Sequence, residues 1–380
     1  MPTTLKARTS YAGASGPRIV PTPRTSLDAA TTFNGVYLRP NISNGGVIPA
    51  VGPVCTSPDI WIAGTQAVGN FQSALATAAS YQTESSSNIS LGNDNYIYAR
   101  AMNGTSLAQS RSVQLYYAPS AIIQWPGQWQ NNVIKTDQGN TMANIANLAA
   151  GQVGVADQTF LWPNVQPPPA GSDHYCLFAQ LNDANNDNPF PDIFSQVDMA
   201  ALITNNLAWG WRNVTLVAGA ASTFQVEVPL TIPQNLATAV YTLAVTPTGF
   251  LNWNVWFTCS QADVNGKPIA LASAQIVQDG AALGAPACTL AGGFNAIVTL
   301  YMQSNGNSAS PGARVPLTCT YQTAPHEVEE VVRRGLVDWN LNAKLRRAFG
   351  PGIGPTPVVF LGAQTWQPAA STSTVRPRRK

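Results

Sequence analysis

The chain is expected to fold as an all-β protein built from two tandem immunoglobulin-like antiparallel β-sandwiches. Three observations carry that expectation. Apolar residues alternate with polar ones at period two, as in Phe224, Val226, Val228, Leu230 and Ile232, the mark of strands with one buried face. Turn-forming residues such as Asn103-Gly104, Pro126-Gly127 and Pro167-Pro168-Pro169 interrupt the runs at short intervals, as sandwich strands require. And 380 residues exceed what one ordinary core accommodates, so two domains with flanking arms are expected.

Residues 1–53 read as an extended N-terminal arm. Pro2, Pro17, Pro21, Pro23, Pro40, Pro49 and Pro53 punctuate it, and no helical or alternating period is sustained. Such a segment buries too little surface to fold alone, so it is expected to order only against something else.

Residues 54–217 form the first expected sandwich, with strands near Asp59–Ala63, Tyr96–Met102, Ser112–Tyr117, Gln152–Leu161, His174–Leu181 and Asn213–Val217. Tyr175, Leu177, Ala179 and Leu181 share one face. Asp198–Ile203 reads as one short helical turn. Several stretches here resemble CARDB-type bacterial immunoglobulin-like domains: Ser57-Pro58-Asp59-Ile60-Trp61, the Tyr96–Asn103 strand, Leu115-Tyr116-Tyr117-Ala118 followed by Trp125-Pro126, His174-Tyr175-Cys176-Leu177, and Asn205-Asn206 with Arg212-Asn213-Val214. The likeness covers about residues 57–217 and implies an adhesive or structural role. The long flanking arms depart from the family's usual setting.

Residues 218–322 form the second expected sandwich. Ala239, Tyr241, Leu243 and Val245 alternate, as do Leu251, Trp253, Val255, Phe257 and Cys259; Ile297–Met302 and Val315–Tyr321 complete the set. Pro229 and Pro316 interrupt strand runs, which predicts edges or bulges at both. No family is recognised here.

The period then changes. Residues 323–350 carry an amphipathic helix with Val328, Val331 or Val332, Leu336, Trp339, Leu345 and Phe349 at helical spacing. Glu327, Glu329 and Glu330 crowd its start while Lys344, Arg346 and Arg347 crowd its end, which suits the helix dipole. Gly335 is positioned to split it. Residues 351–380 form a C-terminal arm with one apolar strand, Pro357–Leu361, and a basic tail. That strand needs a sheet edge, and a neighbour's sheet is one such edge.

Charged residues are only 10% of the chain against 45% hydrophobic, so the surface is made of Ser, Thr, Asn, Gln and Ala and is poorly protected against association. The net charge of +2 hides basic ends: Lys6, Arg8, Arg18 and Arg24 precede the first acid, and Arg376, Arg378, Arg379 and Lys380 close the chain. Neither end interleaves aromatics with its cations, which disfavours nucleic acid and leaves contact with acidic neighbouring subunits or solvated tails. Residues 1–20 hold no continuous apolar stretch of secretory type, so release in the cytoplasm, or export by a route not written there, is expected. No run approaches the ~20 apolar residues of a membrane span, so no membrane partner is expected.

Motifs for chemistry are sparse. His174 and His326 are the only imidazoles, there is no nucleophile elbow or phosphate loop, and the chain is expected not to be an enzyme and to carry no cofactor. Asp183, Asn185 and Asp187 match the opening of a calcium loop, but Asn188 stands where Gly belongs and Phe194 where Glu belongs. The five cysteines form no CxxC pair, which argues against zinc. Cys259 and Cys319 fall on apolar strand faces, compatible with a cross-sheet disulfide or with buried thiols. Trp256, Trp339, Phe349 and Phe360 are the aromatic candidates for interaction; Trp256 points with Asn252, Asn254 and Thr258 away from its strand's apolar face, toward a neighbouring subunit or a glycan.

These readings predict a non-enzymatic structural subunit of a large assembly: a phage virion protein from the neck, collar, tail or capsid surface. It would be located in the virion after assembly in the host cytoplasm, as a cyclic homo-oligomer, three- or sixfold, bound to other structural subunits. The alternative is a secreted or cell-surface bacterial adhesion module.

Overall fold

The computed structural model describes residues 31–182, 190, 192–217 and 222–368. The strands of the first half, in chain order, are β1 (Thr31–Thr32), β2 (Val36–Tyr37), β3 (Val47–Ile48), β4 (Ile60–Gly64), β5 (Asn95–Asn103), β6 (Gln109–Pro119), β7 (Val133–Ile134), β8 (Ala143–Leu148), β9 (Val153–Val155), β10 (Phe160–Trp162), β11 (Tyr175–Asn182) and β12 (Trp209–Arg212). The helices are α1 (Phe71–Leu75), α2 (Ala78–Tyr81) and α3 (Gln196–Asn205). One sheet gathers β2, β4, β9 and β10 around β5; the other runs β12-β11-β6-β7, with β8 also on β6. Ile60, Ile62, Ile97, Val113, Leu115, Phe160 and Leu177 fill the space between them. The all-β sandwich architecture expected from alternation is therefore present.

The boundary expected at residue 53 is corrected. Residues 33–53 do not lie apart from the sandwich: β2 pairs with β5, Leu38 is fully buried, and the Arg39 side chain reaches Asp59. Long-range pairing supplies the surface that a proline-rich segment lacks locally. Residues 1–30 lie outside the described residues.

Much of the first sandwich is held by buried charge. Asp59 sits between Arg39 (Nη2 to Oδ1, 2.6 Å) and Arg100 (Nε to Oδ1, 3.3 Å). Arg39 also stacks on the Tyr81 ring at 3.3 Å, and Arg100 donates to the carbonyls of Pro58, Ser80 and Thr83. Arg212 donates to the carbonyls of Ser57 and Ser85; burial lowers the pKa of its guanidinium to about 10. These guanidiniums staple the 77–85 segment to the sheet, where no long β ladder could.

The second half contains β13 (Val214–Val217), β14 (Thr223–Thr231), β15 (Ala239–Val245), β16 (Asn254–Ala262), β17 (Pro268–Gln275), β18 (Leu283–Leu290), β19 (Asn295–Gln303), β20 (Val315–Gln322) and β21 (Val358–Pro368). They form a sheet in the order β13-β21-β20-β15-β18 and a second in the order β14-β19-β16-β17. Val228, Leu230, Leu243, Val255, Phe257, Val298, Leu300 and Leu317 pack between them, all fully buried. Pro229 is on edge strand β14, as expected. Pro316 is not on an edge strand; it is the second residue of the internal strand β20, ahead of the first pair with β15 at Leu317.

Gly335, at φ 66°, splits the helical period, as its position suggested, into α4 (Val328–Arg333) and α5 (Trp339–Phe349). Two expectations about the C-terminal region are corrected. Residues 358–368 are no free arm: β21 pairs along its length with β20 and runs parallel to β13. Phe360, expected as an interaction residue, is buried in the core at 8% exposure, because its strand is internal to its own sheet. The basic tail lies outside the described residues. The cysteines also differ from one expectation. All five are free thiols. Cys259 and Cys319 belong to opposite sheets of the sandwich, and no disulfide joins them.

The two sandwiches are fused at Asn213. Strand β12 ends at Arg212 in the first sandwich and β13 begins at Val214 in the second, so one residue separates them. The Asn213 amide donates to the carbonyls of Ala121 and Ala363, one in each half of the chain, and its backbone N–H donates to Cys55 O. Burial pushes the Cys55 thiol up to about 12. Trp129, Trp209 and Trp211 pack with Phe178 at the junction, and this cluster is continuous with the second core. Gly362 of β21 passes so close to the first sandwich that a Cβ there would collide with the Ile122 carbonyl and stand 2.9 Å from Ile123 Cα.

Candidate interaction face

The outer face of the β14-β19-β16-β17 sheet is built by the same alternation that builds the core. Where Val226, Val255, Phe257, Val298 and Leu300 point inward, Gln225, Glu227, Asn254, Trp256, Thr258, Thr299, Tyr301 and Gln303 point outward. Register places Gln225, Tyr301 and Trp256 in one row across three strands, with Thr223, Gln303, Asn254 and Gln275 in the next row. Trp256 and Tyr301 stack at 5.1 Å between centroids with rings 5° from parallel. Trp256, half-buried, is thus where the sequence placed it, and its stacking partner Tyr301 is one that sequence reading missed. The alternation of Ile297–Met302 could have revealed Tyr301, but the pairing register could not be read.

Beyond Trp256, pairing with β17 shifts between Val255 and Phe257. Ala272 and Ser273, both exposed, stand opposite the indole across this bulge. Glu227 is the only carboxylate in the four strands, and they contain no Lys, Arg or His. The far end of the face is closed by the first sandwich: Ile122 N donates to Pro229 O, Trp125 Nε1 donates to Thr231 O at 2.7 Å, and a Cβ on Gly171 would stand 2.7 Å from Ile297 Cδ1.

Other aromatic candidates are placed differently. Trp339 is 51% exposed at the start of α5. Phe349, at its end, is half-buried against Leu345 and Val358 of its own chain. Trp125 and Trp253 are buried. Trp162 closes on Tyr117 (4.2 Å) and Tyr175 (5.0 Å).

The polar cluster around His174 has no nucleophile–base geometry. His174 Nδ1 lies 2.6 Å from Asp173 Oδ1, and Ser120 Oγ donates to that carboxylate rather than to the imidazole. The other ring nitrogen is 2.7 Å from Gln364 Nε2, and Trp366 Nε1 donates to Asp173 Oδ2. Desolvation raises the pKa of Asp173, but the hydrogen bonds and charge of His174, with those from Trp366 and Ser120, outweigh it and leave the pKa below its usual value. Because Gln364 and Trp366 belong to β21, this cluster ties the two sandwiches together. Asp183, Asn185 and Asp187, the calcium-loop match, lie outside the described residues. Among the described residues no His, Cys, Asp and Glu form a group of three or more able to hold a metal, and no helix is long and apolar enough to cross a membrane.

No family model matches the chain, and no curated protein does. Similar solved structures include the calcium-binding domain CBD12 of CALX1.1, at 8% identity over 72% of this chain and 93% of that one, with a TM-score of 0.15. An anti-sigma factor domain-containing protein is 11% identical over 78% and 95%, with a TM-score of 0.19. The CupB6 tip adhesin from Pseudomonas aeruginosa is 8% identical over 60% and 84%, with a TM-score of 0.13. Superpositions this poor carry no functional argument.

Proposed function

We propose that the chain is a non-enzymatic structural subunit of a large assembly, a phage virion protein of the neck, collar, tail or capsid surface. One observation carries this reading: charge is scarce in the sequence, and the fold spends some of it internally. Arg39, Asp59, Arg100 and Arg212 are buried, and Arg314 pairs with Glu84 across the junction at 2.5 Å. With the chain only 10% charged and some of that buried, the exterior is built largely of neutral polar residues. Such a surface offers little electrostatic resistance to covering by other subunits. The fused double sandwich would serve as a rigid block, and the sequence resemblance of residues 57–217 to CARDB-type domains implies a structural or adhesive role. Native mass spectrometry and negative-stain microscopy of the purified chain test this. A concentration-dependent closed ring, three- or sixfold, is the expected result. A monomer at all concentrations that also fails to join virion subunits of the same genome would defeat it.

A second reading, a surface adhesion module, is favoured by the Trp256–Tyr301 stack on an open sheet face.

A further inference from the structure

We propose that the outer face of the β14-β19-β16-β17 sheet binds a neutral polysaccharide, with one sugar ring stacked on the free face of Trp256 above Ala272 and Ser273. The inference goes beyond the assembly reading and does not rest on it.

Tyr301 covers one face of the indole. Among the described residues, no ring or guanidinium is recorded against the other face. On that side β17 presents Ala272 and Ser273 at a bulge, side chains too short to cover an indole. In this proposal these residues form a shallow trough, with an aromatic wall and a floor of small residues. The C–H face of a pyranose is apolar, and an aromatic ring is its natural platform.

The rim supplies the complement for hydroxyls. Gln225, Asn254, Gln275 and Gln303 surround the aromatic pair, and none of their side chains hydrogen-bonds to another described residue. Each amide offers both donors and an acceptor, and Thr258 and Thr299 add hydroxyls in the next row. A site that pairs one apolar platform with a few convergent neutral polar groups selects a polyhydroxylated ligand. The lack of Lys, Arg and His in the four strands argues against phosphate, sulfate or nucleic acid. It also argues against a protein hot spot, where Arg is enriched with aromatics.

The test uses the full chain in affinity gels containing dextran, mannan or soluble β-1,3-glucan, backed by an array of neutral glycans with heparin and alginate as anionic controls. Binding to at least one neutral glycan and to neither anion is expected. Trp256→Ala should weaken it by about tenfold or more, and Ala272→Leu, which fills the trough and keeps the indole, should do the same. Oligomeric state and thermal midpoint are recorded for each variant. If Trp256→Ala destabilises the fold, Ala272→Leu and Gln303→Ala decide the matter. Binding to no neutral glycan, binding to the anions alone, or binding unchanged in the variants would each overturn the proposal. So would loss of self-association in Trp256→Ala without sugar binding by the parent chain, which would make this face a subunit interface.

Discussion

The two sandwiches solve one problem with different chemistry. The second relies on long ladders: β14 and β19 pair over nine residues from Thr223/Gln303 to Thr231/Asn295, with Val228, Leu243, Phe257 and Leu300 fully buried between its sheets. The first has fragments of two or three residues at β2, β7, β9 and β10. It replaces missing ladder bonds with side-chain donors aimed at carbonyls: Arg39 to Tyr81, Arg100 to Ser80 and Thr83, Arg212 to Ser85. Short strands are tolerable when a guanidinium can satisfy several carbonyls at once. The consequence is that the first sandwich is fragile to loss of charge and the second to loss of volume.

The largest effect should come from removing the shared anion. Asp59→Ala leaves Arg39 and Arg100 buried without a counter-charge and should cost about 3–5 kcal/mol, against about 2–5 kcal/mol for Leu300→Ala in the second core. Denaturant unfolding measures both. An Asp59→Ala chain as stable as the parent would break the contrast. Both variants should unfold in one transition, since the cores are continuous through the junction.

The pivot comes next. Asn213→Ala strips the carbonyls of Ala121 and Ala363 of their donor and should cost about 1–3 kcal/mol. Separation of unfolding into two transitions would be the sharpest sign that Asn213 couples the halves.

Acid should act at the same junction with a smaller effect. The pKa of Asp173 is depressed on folding, so its contribution is fully present above the unfolded value near 3.9 and is lost as pH falls below it through the folded value. Asp173→Asn should flatten the stability profile in that acidic window and leave its slope near neutrality unchanged. An unchanged acid limb would remove Asp173 from the junction's energetics. Smallest of all, reductant should not shift the thermal midpoint, because all five cysteines are thiols; a drop in the midpoint would revive a cross-sheet bridge.

Strands with strict alternation were legible along the chain: β14, β15, β19 and β20 stand close to where Phe224–Ile232, Ala239–Val245, Ile297–Met302 and Val315–Tyr321 predicted them. Others escaped. β17 reads PIALASAQ, too rich in Ala and Ser to mark a face, and β18 carries Gly284 and Pro286, which suggest a turn. α3 extends over Gln196–Asn205 rather than a single turn; buried on most sides, it has little amphipathic period to read. Among the site residues, Trp256 was legible because it breaks the apolar parity of its strand. The trough beside it was not, since it depends on a bulge in a partner strand that sequence reading missed.

The sequence by itself determined which residues face inward, because side chains alternate with the pleat whatever the strand pairs with. It also determined the poverty of charge. Only the tertiary structure decided that Val36–Arg39 and Val358–Pro368 belong to the body, that Asn213 is the seam between two sandwiches, and that Asp59 anchors two arginines. Each of these joins residues far apart in the chain. Pairing at that range depends on the whole arrangement of sheets rather than on local periodicity.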